Sequence, residues 1–290
     1  MAMRSIRIGT RGSALALRQT ELLVSALHAR HSRIDCAVTV LSTMGDRNVS
    51  GPLSEFGGKG AFVAEFEEAL LSGRIDLAVH SAKDMPFELA PSLGILMVLP
   101  RADARDVLLY RKGRHPRVAR NAVIGTGSPR RAAQIPYDTR LLRGNVPTRI
   151  QKLKAGEYDA IILASAGLQR LGLTDDPELE YETLPYERMV PAGGQGIIAV
   201  EGAASSPLAD LLAPCCDRSA MIELETERAV LRHLKAGCHE PVGVHAQVTE
   251  GRLTLRFFCA RGGRPVRACV SGSVAQRFDL ARAVAEEADG

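Results

Sequence analysis

The 290-residue chain has no tryptophan, and only 4% of its residues are aromatic, so it lacks the stacking platforms that single-stranded nucleic acid requires. Its formal net charge of +4 is too near balance to mark a nucleic-acid footprint. No apolar run approaches the ~20 residues that cross a bilayer. MAMRSIRIGT passes straight into a strand pattern, without the apolar core of a secretory signal. The six cysteines, at 36, 215, 216, 238, 259 and 269, show no framework spacing and read as free thiols in a reducing cytoplasm. A zinc site from Cys215, Cys216, Cys238 and His239 is the weaker reading of those residues, and no metal is expected. Nor is there a P-loop, because neither GTRGS nor GTGSP is followed by Lys-Ser/Thr.

What is present is a soluble, globular composition, 46% hydrophobic and 24% charged. The length exceeds one ordinary core and predicts two or three domains. Ile6 to Thr10 reads as a strand, Ser13 as an N-cap, and Ala14 to Ala29 as a helix with an apolar face. A strand at Ala37 to Leu41 leads into Thr43 to Gly60, a glycine-rich stretch that reads as a mobile lid. A helix from Ala61 to Ser72, closed by Gly73, precedes the strand Asp76 to Val79 and another at Leu93 to Leu99. The charged stretch from Pro100 to Arg120 marks a change of unit, with a strand at Val107 to Tyr110.

The opening pattern then recurs. Ile8-Gly-Thr-Arg-Gly-Ser13 is answered by Ile124-Gly-Thr-Gly-Ser128, and each leads into a helix; Gly73-x-x-Asp76 is answered by Gly156-x-x-Asp159 before Ala160 to Leu163. Two duplicated α/β units account for both echoes. Where the first copy ends its strand in His80, Ser81, Lys83 and Asp84, the second has Ala166 and Gly167 in place of the Lys-Asp pair. The architecture therefore does not require that pair, and ligands bind beyond strand carboxyl ends. Both strand–Ser–helix junctions offer backbone N–H groups to an anion. Around them stand Arg11, Arg130, Arg131, Arg143, Arg149 and Arg170, whose guanidinium forks match carboxylates, so the expected ligand is a polycarboxylate or polyphosphate between the halves.

Pro191-Ala-Gly-Gly-Gln-Gly196 reads as a hinge before a strand at Ile197 to Val200. A helix from Ala220 to Ala236, ended by Gly237, places Cys238 on a loop, where the helix dipole does not favour a thiolate. Strands at Val242 to Val248, Arg252 to Ala260 and Arg267 to Val270, then a helix from Ala275 to Ala288, form a small α+β unit.

On IGTRGSALAL, GGKGAF, DLAVHSAKDMP, GTGSPRR, LRGNVPTR, YDAIILA, AGLQRLG, GGQG and AGC, the chain resembles the hydroxymethylbilane synthase (porphobilinogen deaminase) family over nearly its whole length. The resemblance implies two periplasmic-binding-protein-like α/β domains around a central cleft, plus a small α+β C-terminal domain. Its expected division is 1–99 with 197–217, then 100–196, then 218–290. The implied reaction deaminates four porphobilinogen molecules and joins them head to tail into hydroxymethylbilane, for tetrapyrrole synthesis. It is primed on a dipyrromethane cofactor held by a thioether to Cys238. Asp84 matches the catalytic carboxylate. Lys83, Ser128, Arg130, Arg131, Arg143 and Gly144 match cofactor-binding positions, while Arg11, Ser13, Arg149, Arg170, Gln195 and the lid residue Lys59 match substrate-binding ones. The expected partner is the small molecule alone, bound by a cytoplasmic monomer with neither nucleic acid nor membrane. Gly127, Pro129 and the His239-Glu240 pair depart from the family's usual residues. A non-catalytic anion-binding module of the same fold would explain the arginines, but not Asp84 set among cations.

Overall fold

The computed structural model describes residues 5–42, 63–118, 121–237 and 239–288. The expected lid, with Lys59, and the expected anchor Cys238 lie outside the described residues. Two five-stranded sheets and one three-stranded sheet make up the architecture.

In the first sheet, β1 (Ile6–Arg11) runs parallel to β2 (Cys36–Leu41) and β3 (Leu77–Ser81). Beyond β4 (Leu93–Val98) the chain leaves for the second sheet, beginning with β5 (Asp106–Arg111). There β6 (Val123–Gly125) is parallel to β7 (Asp138–Arg140) and β8 (Ala160–Ala164), while β5 lies antiparallel between β8 and β9 (Leu179–Thr183). After β9 the chain returns, and β10 (Ile198–Ala203) inserts antiparallel between β3 and β4. The orders β2-β1-β3-β10-β4 and β7-β6-β8-β5-β9 are therefore the same, strand for strand.

The duplication extends to individual residues. Ile8 and Gly9 pair with Leu77 and Ala78, as Ile124 and Gly125 pair with Ala160 and Ile161. Each Gly-x-x-Asp echo closes a helix and starts a strand. Gly73 (φ +67°) and Gly156 (φ +81°) take the left-handed turn that glycine adopts without strain. The carboxylates of Asp76 and Asp159 then accept the backbone N–H groups of Arg7 (2.9 Å) and Val123 (2.8 Å), where the sheets begin. A Cβ at Gly9 would lie 2.5 Å from Ile75 Cδ1, and one at Gly125 would lie 2.8 Å from the Tyr158 ring, so a side chain packs closely over both motif glycines.

Helices α1 (Ala14–Arg30), α2 (Ala64–Leu71), α3 (Pro129–Ala132), α4 (Val146–Lys154) and α5 (Ser165–Leu171) accompany the two large sheets. Ile8, Leu23, Leu27, Leu77, Met97 and Val200 form one fully buried core, and Leu109, Leu142, Leu153 and Ile161 form its counterpart. After the short α6 (Leu208–Leu212), the long α7 (Arg218–His233) starts on Asp217, whose side chain accepts from Ala220 N–H. The antiparallel strands β11 (Val242–Thr249), β12 (Arg252–Cys259) and β13 (Val266–Ser273) pack with α7 and α8 (Arg277–Glu286) around Val230, Val244, Leu255, Phe257 and Val284. No helix among the described residues is long and apolar enough to cross a membrane.

One boundary differs from its expectation for a local reason. Helix α7 ends at His233, not Ala236, and Gly237 is not its stop. Lys235 takes the left-handed conformation (φ +50°) instead. The Ala236 and Lys235 N–H groups close the helix on the carbonyls of Leu231 (2.9 Å) and Arg232 (3.0 Å), the two bonds of a Schellman end.

Candidate active site

The carboxyl ends of β1, β3, β6 and β8 face one cleft of about 680 Å³, where polar groups emerge from open α/β sheets. Arg11 ends β1, and Ser13 caps α1 by accepting Ala16 N–H at 3.3 Å. After β3 the chain makes one 3₁₀ turn, Ala82–Asp84, pinned by the buried Ala82 and Met85 on either side of the Lys-Asp pair. Lys83 is half-buried and Asp84 exposed. Among the described residues Asp84 has no hydrogen-bond or ion-pair partner, and both side chains line the cleft.

From the other side come Ser128, Arg130 and Arg131 after β6, Arg143 and Gly144 before α4, Arg149 on α4, and Arg170 on α5. Gln195 reaches the same cleft from the second crossing. Every proposed site residue within the described chain is thus brought to one cavity. Lys59 and Cys238 are not described, but Gly237 and His239, the chain neighbours of Cys238, line that cavity too.

The two helix N-termini are not equivalent, which corrects the symmetrical expectation. Helix α1 has 17 residues and a side-chain cap, whereas α3 has 4 residues and no side-chain cap at Ser128. The anion chemistry of the second half rests instead on its arginines. Arg130 and Arg131 are buried and share Asp106, at 2.8 and 2.7 Å. Arg131 also donates to Ile162 O, and Arg130 to Val190 O. The Arg130 Nε is buried without a hydrogen-bond partner among the described residues. Arg149 donates to Gly144 O at 2.7 Å, and Arg170 to Gly196 O at 2.6 Å. Arg143 makes no hydrogen bond among the described residues.

These cations alter one another. Burial, with repulsion from Arg131 and Arg143, lowers the Arg149 guanidinium to about 10 against the attraction of Asp84. Burial likewise lowers Arg170 to about 10. Lys83 falls to about 8: burial dominates, Asp84 and Asp106 oppose it, and Arg131 and Arg130 add to it. Burial acts to raise Asp106, but Arg130 and Arg131 hold it well below the usual carboxylate range. An excess of positive charge is thus held out of water, an arrangement that a polycarboxylate would relieve.

Two contributors, Asp106 and Gln19, are absent from the sequence reading, and Gln195 has a role beyond the substrate-binding one expected of it. Asp106 is fully buried at the head of β5 and fixes the arginine pair. Gln195 donates to Asp106 (3.0 Å) and Ala104 O (2.7 Å), which makes it a brace as well as a lining residue. Gln19 on α1 donates to Ser81 at 2.8 Å, holding the end of β3. For Asp106 the available signal was an acid at the head of an apolar strand.

Cations from both sheets converge with one exposed carboxylate on a single cleft, a lining whose charge suits a polycarboxylate. The chain matches the family model "Porphobilinogen deaminase, dipyromethane cofactor binding domain" over residues 6–209, and "Porphobilinogen deaminase, C-terminal domain" over 221–288. Porphobilinogen deaminase of Roseiflexus castenholzii is 45% identical over 291 residues, covering 98% of this chain and 95% of that one. Its counterpart in Trichlorobacter lovleyi is 40% identical, covering 99% and 93%. Among solved structures, the Bordetella pertussis BvgS periplasmic VFT2 domain is similar at TM-score 0.45 and 13% identity, covering 78% of this chain and 90% of that one. The chain belongs to the porphobilinogen deaminase family.

Proposed function

We propose that this chain is a cytoplasmic hydroxymethylbilane synthase that deaminates porphobilinogen and joins four units head to tail. The observation that carries the reading is Asp84, exposed in a cleft whose other walls carry Lys83, Arg131, Arg143, Arg149 and Arg170. The buried, unpartnered Arg130 Nε and the unbonded Arg143 fit a dipyrromethane, whose side chains are carboxylates. Lys83, Ser128, Arg130, Arg131, Arg143 and Gly144 would hold that group, with Cys238 as its covalent anchor. When bound, it supplies a free pyrrole α-carbon as the primer. Arg11, Ser13, Arg149 and Arg170 orient the acetate and propionate of the incoming substrate. Asp84 accepts from the pyrrole N–H and stabilises the positive charge that develops as ammonia departs. The pairing of β10 into the first sheet supports a division into 1–99 with 197–217, 100–196 and 218–290.

Mass spectrometry tests the anchor. The purified protein should exceed its sequence mass by a two-ring adduct, give the Ehrlich colour of a dipyrromethane, and yield a modified peptide containing Cys238. An adduct on Cys215, Cys216 or Cys259, or an active sample without one, overturns the assignment.

The Lys83 environment gives a pH test of cofactor binding. Its ammonium is charged below about pH 8 and is lost above it, so assembly of holo-protein from apo-protein should slow as pH increases through 8. In Lys83→Arg the charge persists to far higher pH, and that alkaline fall should disappear. An identical alkaline fall in both proteins would assign it to another group.

A further inference from the structure

The segment Gly193–Gly196 reads in sequence as a hinge, but it is packed on every side. A Cβ at Gly193 would lie 2.9 Å from Leu231 of α7 and 3.0 Å from Val244 of β11, both in the third unit. Gly194 (φ +76°) is pressed against the catalytic turn, where a Cβ would lie 2.8 Å from the Ala82 carbonyl carbon and 2.9 Å from Lys83 N. Gln195 reaches Asp106, and Gly196 accepts from Arg170 and from Ala102 N–H. Four consecutive residues therefore touch the third unit, the Lys83–Asp84 turn, the arginine clamp and the first crossing.

One carboxylate sets where this wedge sits. Glu227 on α7 is fully buried. It accepts from Gly194 N–H at 2.5 Å, Ala246 N–H at 2.7 Å, and Arg101 at 2.6 and 3.3 Å. Arg101 lies in the first crossing and also donates to Gln195 O (3.0 Å), Ala246 O (3.1 Å) and Glu223 (3.3 Å). Both crossings and the third sheet thus meet at a single side chain. A structural brace needs only the Arg101 and Ala246 contacts. The bond to Gly194 adds a connection to the reacting groups, because no side chain separates Gly194 from the backbone of Ala82 and Lys83.

We infer that Glu227 is a positioning residue for the Lys83–Asp84 turn, acting through the Gly194 backbone, so that the third unit sets the placement of the catalytic carboxylate. The inference rests on the role proposed above for Asp84. A displacement of about 1 Å is enough to cost a hundredfold in rate when a group must meet a developing charge. Arg143 and Arg149 make no hydrogen bond to residues 193–196, so KM is affected less.

The test uses the holo-protein, with cofactor content measured first. Glu227→Gln keeps the side-chain size but weakens the charge-assisted bonds. Expected are faster amide exchange over residues 82–85 than in wild type, unchanged exchange over the control strand β8, and a fall in kcat per holo-molecule of about tenfold or more with little change in KM. Glu227→Asp keeps the charge for Arg101 but retracts it from Gly194; it should show the same local exchange at higher thermal stability. It serves in place of Glu227→Gln should that variant not fold. A lower Tm with wild-type exchange over 82–85 and wild-type kcat per holo-molecule would overturn the inference and leave Glu227 a brace. Exchange is read without substrate, so a wild-type protein that fails to consume porphobilinogen would refute the proposed activity separately.

Discussion

Asp84→Asn is expected to fold, acquire its cofactor and bind porphobilinogen, yet turn over about a hundredfold to a thousandfold more slowly, the usual effect of losing one preorganised electrostatic partner. The expectation follows from when each interaction forms. Arg11, Arg149 and Arg170 meet substrate carboxylates whose charge is the same before and after ammonia leaves. Positive charge on the pyrrole nitrogen develops only during deamination, and an interaction confined to the transition state appears in kcat rather than KM. Asp84 has no hydrogen-bond or ion-pair partner among the described residues, and it lines the cleft, so the substitution breaks no described hydrogen bond and removes only its attraction for Lys83 and Arg149. Asp84→Glu keeps the charge in a displaced position and should retain more activity than Asp84→Asn. The measurement is steady-state kinetics on both variants, normalised to Ehrlich-positive protein. Near-normal kcat with a raised KM would make Asp84 a binding group.

The fold was legible wherever sequence carried a repeated local constraint. Ile8-Gly-Thr and Ile124-Gly-Thr recur because each glycine lies under a side chain two residues before the strand paired beside it, Ile75 before β3 or Tyr158 before β8. Gly73-x-x-Asp76 and Gly156-x-x-Asp159 recur because helix closure and strand initiation happen within four residues in both halves. The short strand β7 was not legible: Asp138–Arg140 is polar and exposed, with no alternation to mark it. The end of α7 was misplaced because a lysine took the conformation that glycine usually supplies.

The cleft was legible through its arginines, since a guanidinium near a strand end signals anion chemistry whatever the tertiary structure. What holds those arginines was not. Asp106 stands in PRADARDVLLY among alternating charges and reads as part of a solvated stretch; its burial depends on β5 being inserted between β8 and β9. Glu227 and Arg101 are 126 residues apart and look like ordinary charges of a helix and a linker. Such pairs are set by topology, and single-sequence periodicity does not encode it.

The buried clamp gives the largest expected effect on stability. Asp106 is a fully buried carboxylate between two buried guanidinium groups, with Gln195 donating a fourth contact. Removing one member of such a cluster leaves the others charged and out of water, which costs about 3–5 kcal/mol. Asp106→Asn should therefore lower Tm by about 10 °C at pH 7 and reduce cofactor content, because Arg130 and Arg131 lose the partner that fixes their direction. The sign with pH follows from the depressed carboxyl: the native state holds fewer protons than the unfolded chain, so the Asp106 contribution is fully present above the ordinary carboxylate range. It is lost progressively as pH falls from that range to the lower folded value. The gap between wild type and Asp106→Asn should stay constant from pH 7 down to about 5 and shrink in stronger acid. A second variant separates charge balance from shape. Adding Arg130→Met to Asp106→Asn removes one of the two orphaned cations and should recover part of the lost Tm, whereas independent sites would give additive losses. Melting curves for the two singles and the double decide it: additive destabilisation would mean that Asp106 and Arg130 do not act as a unit.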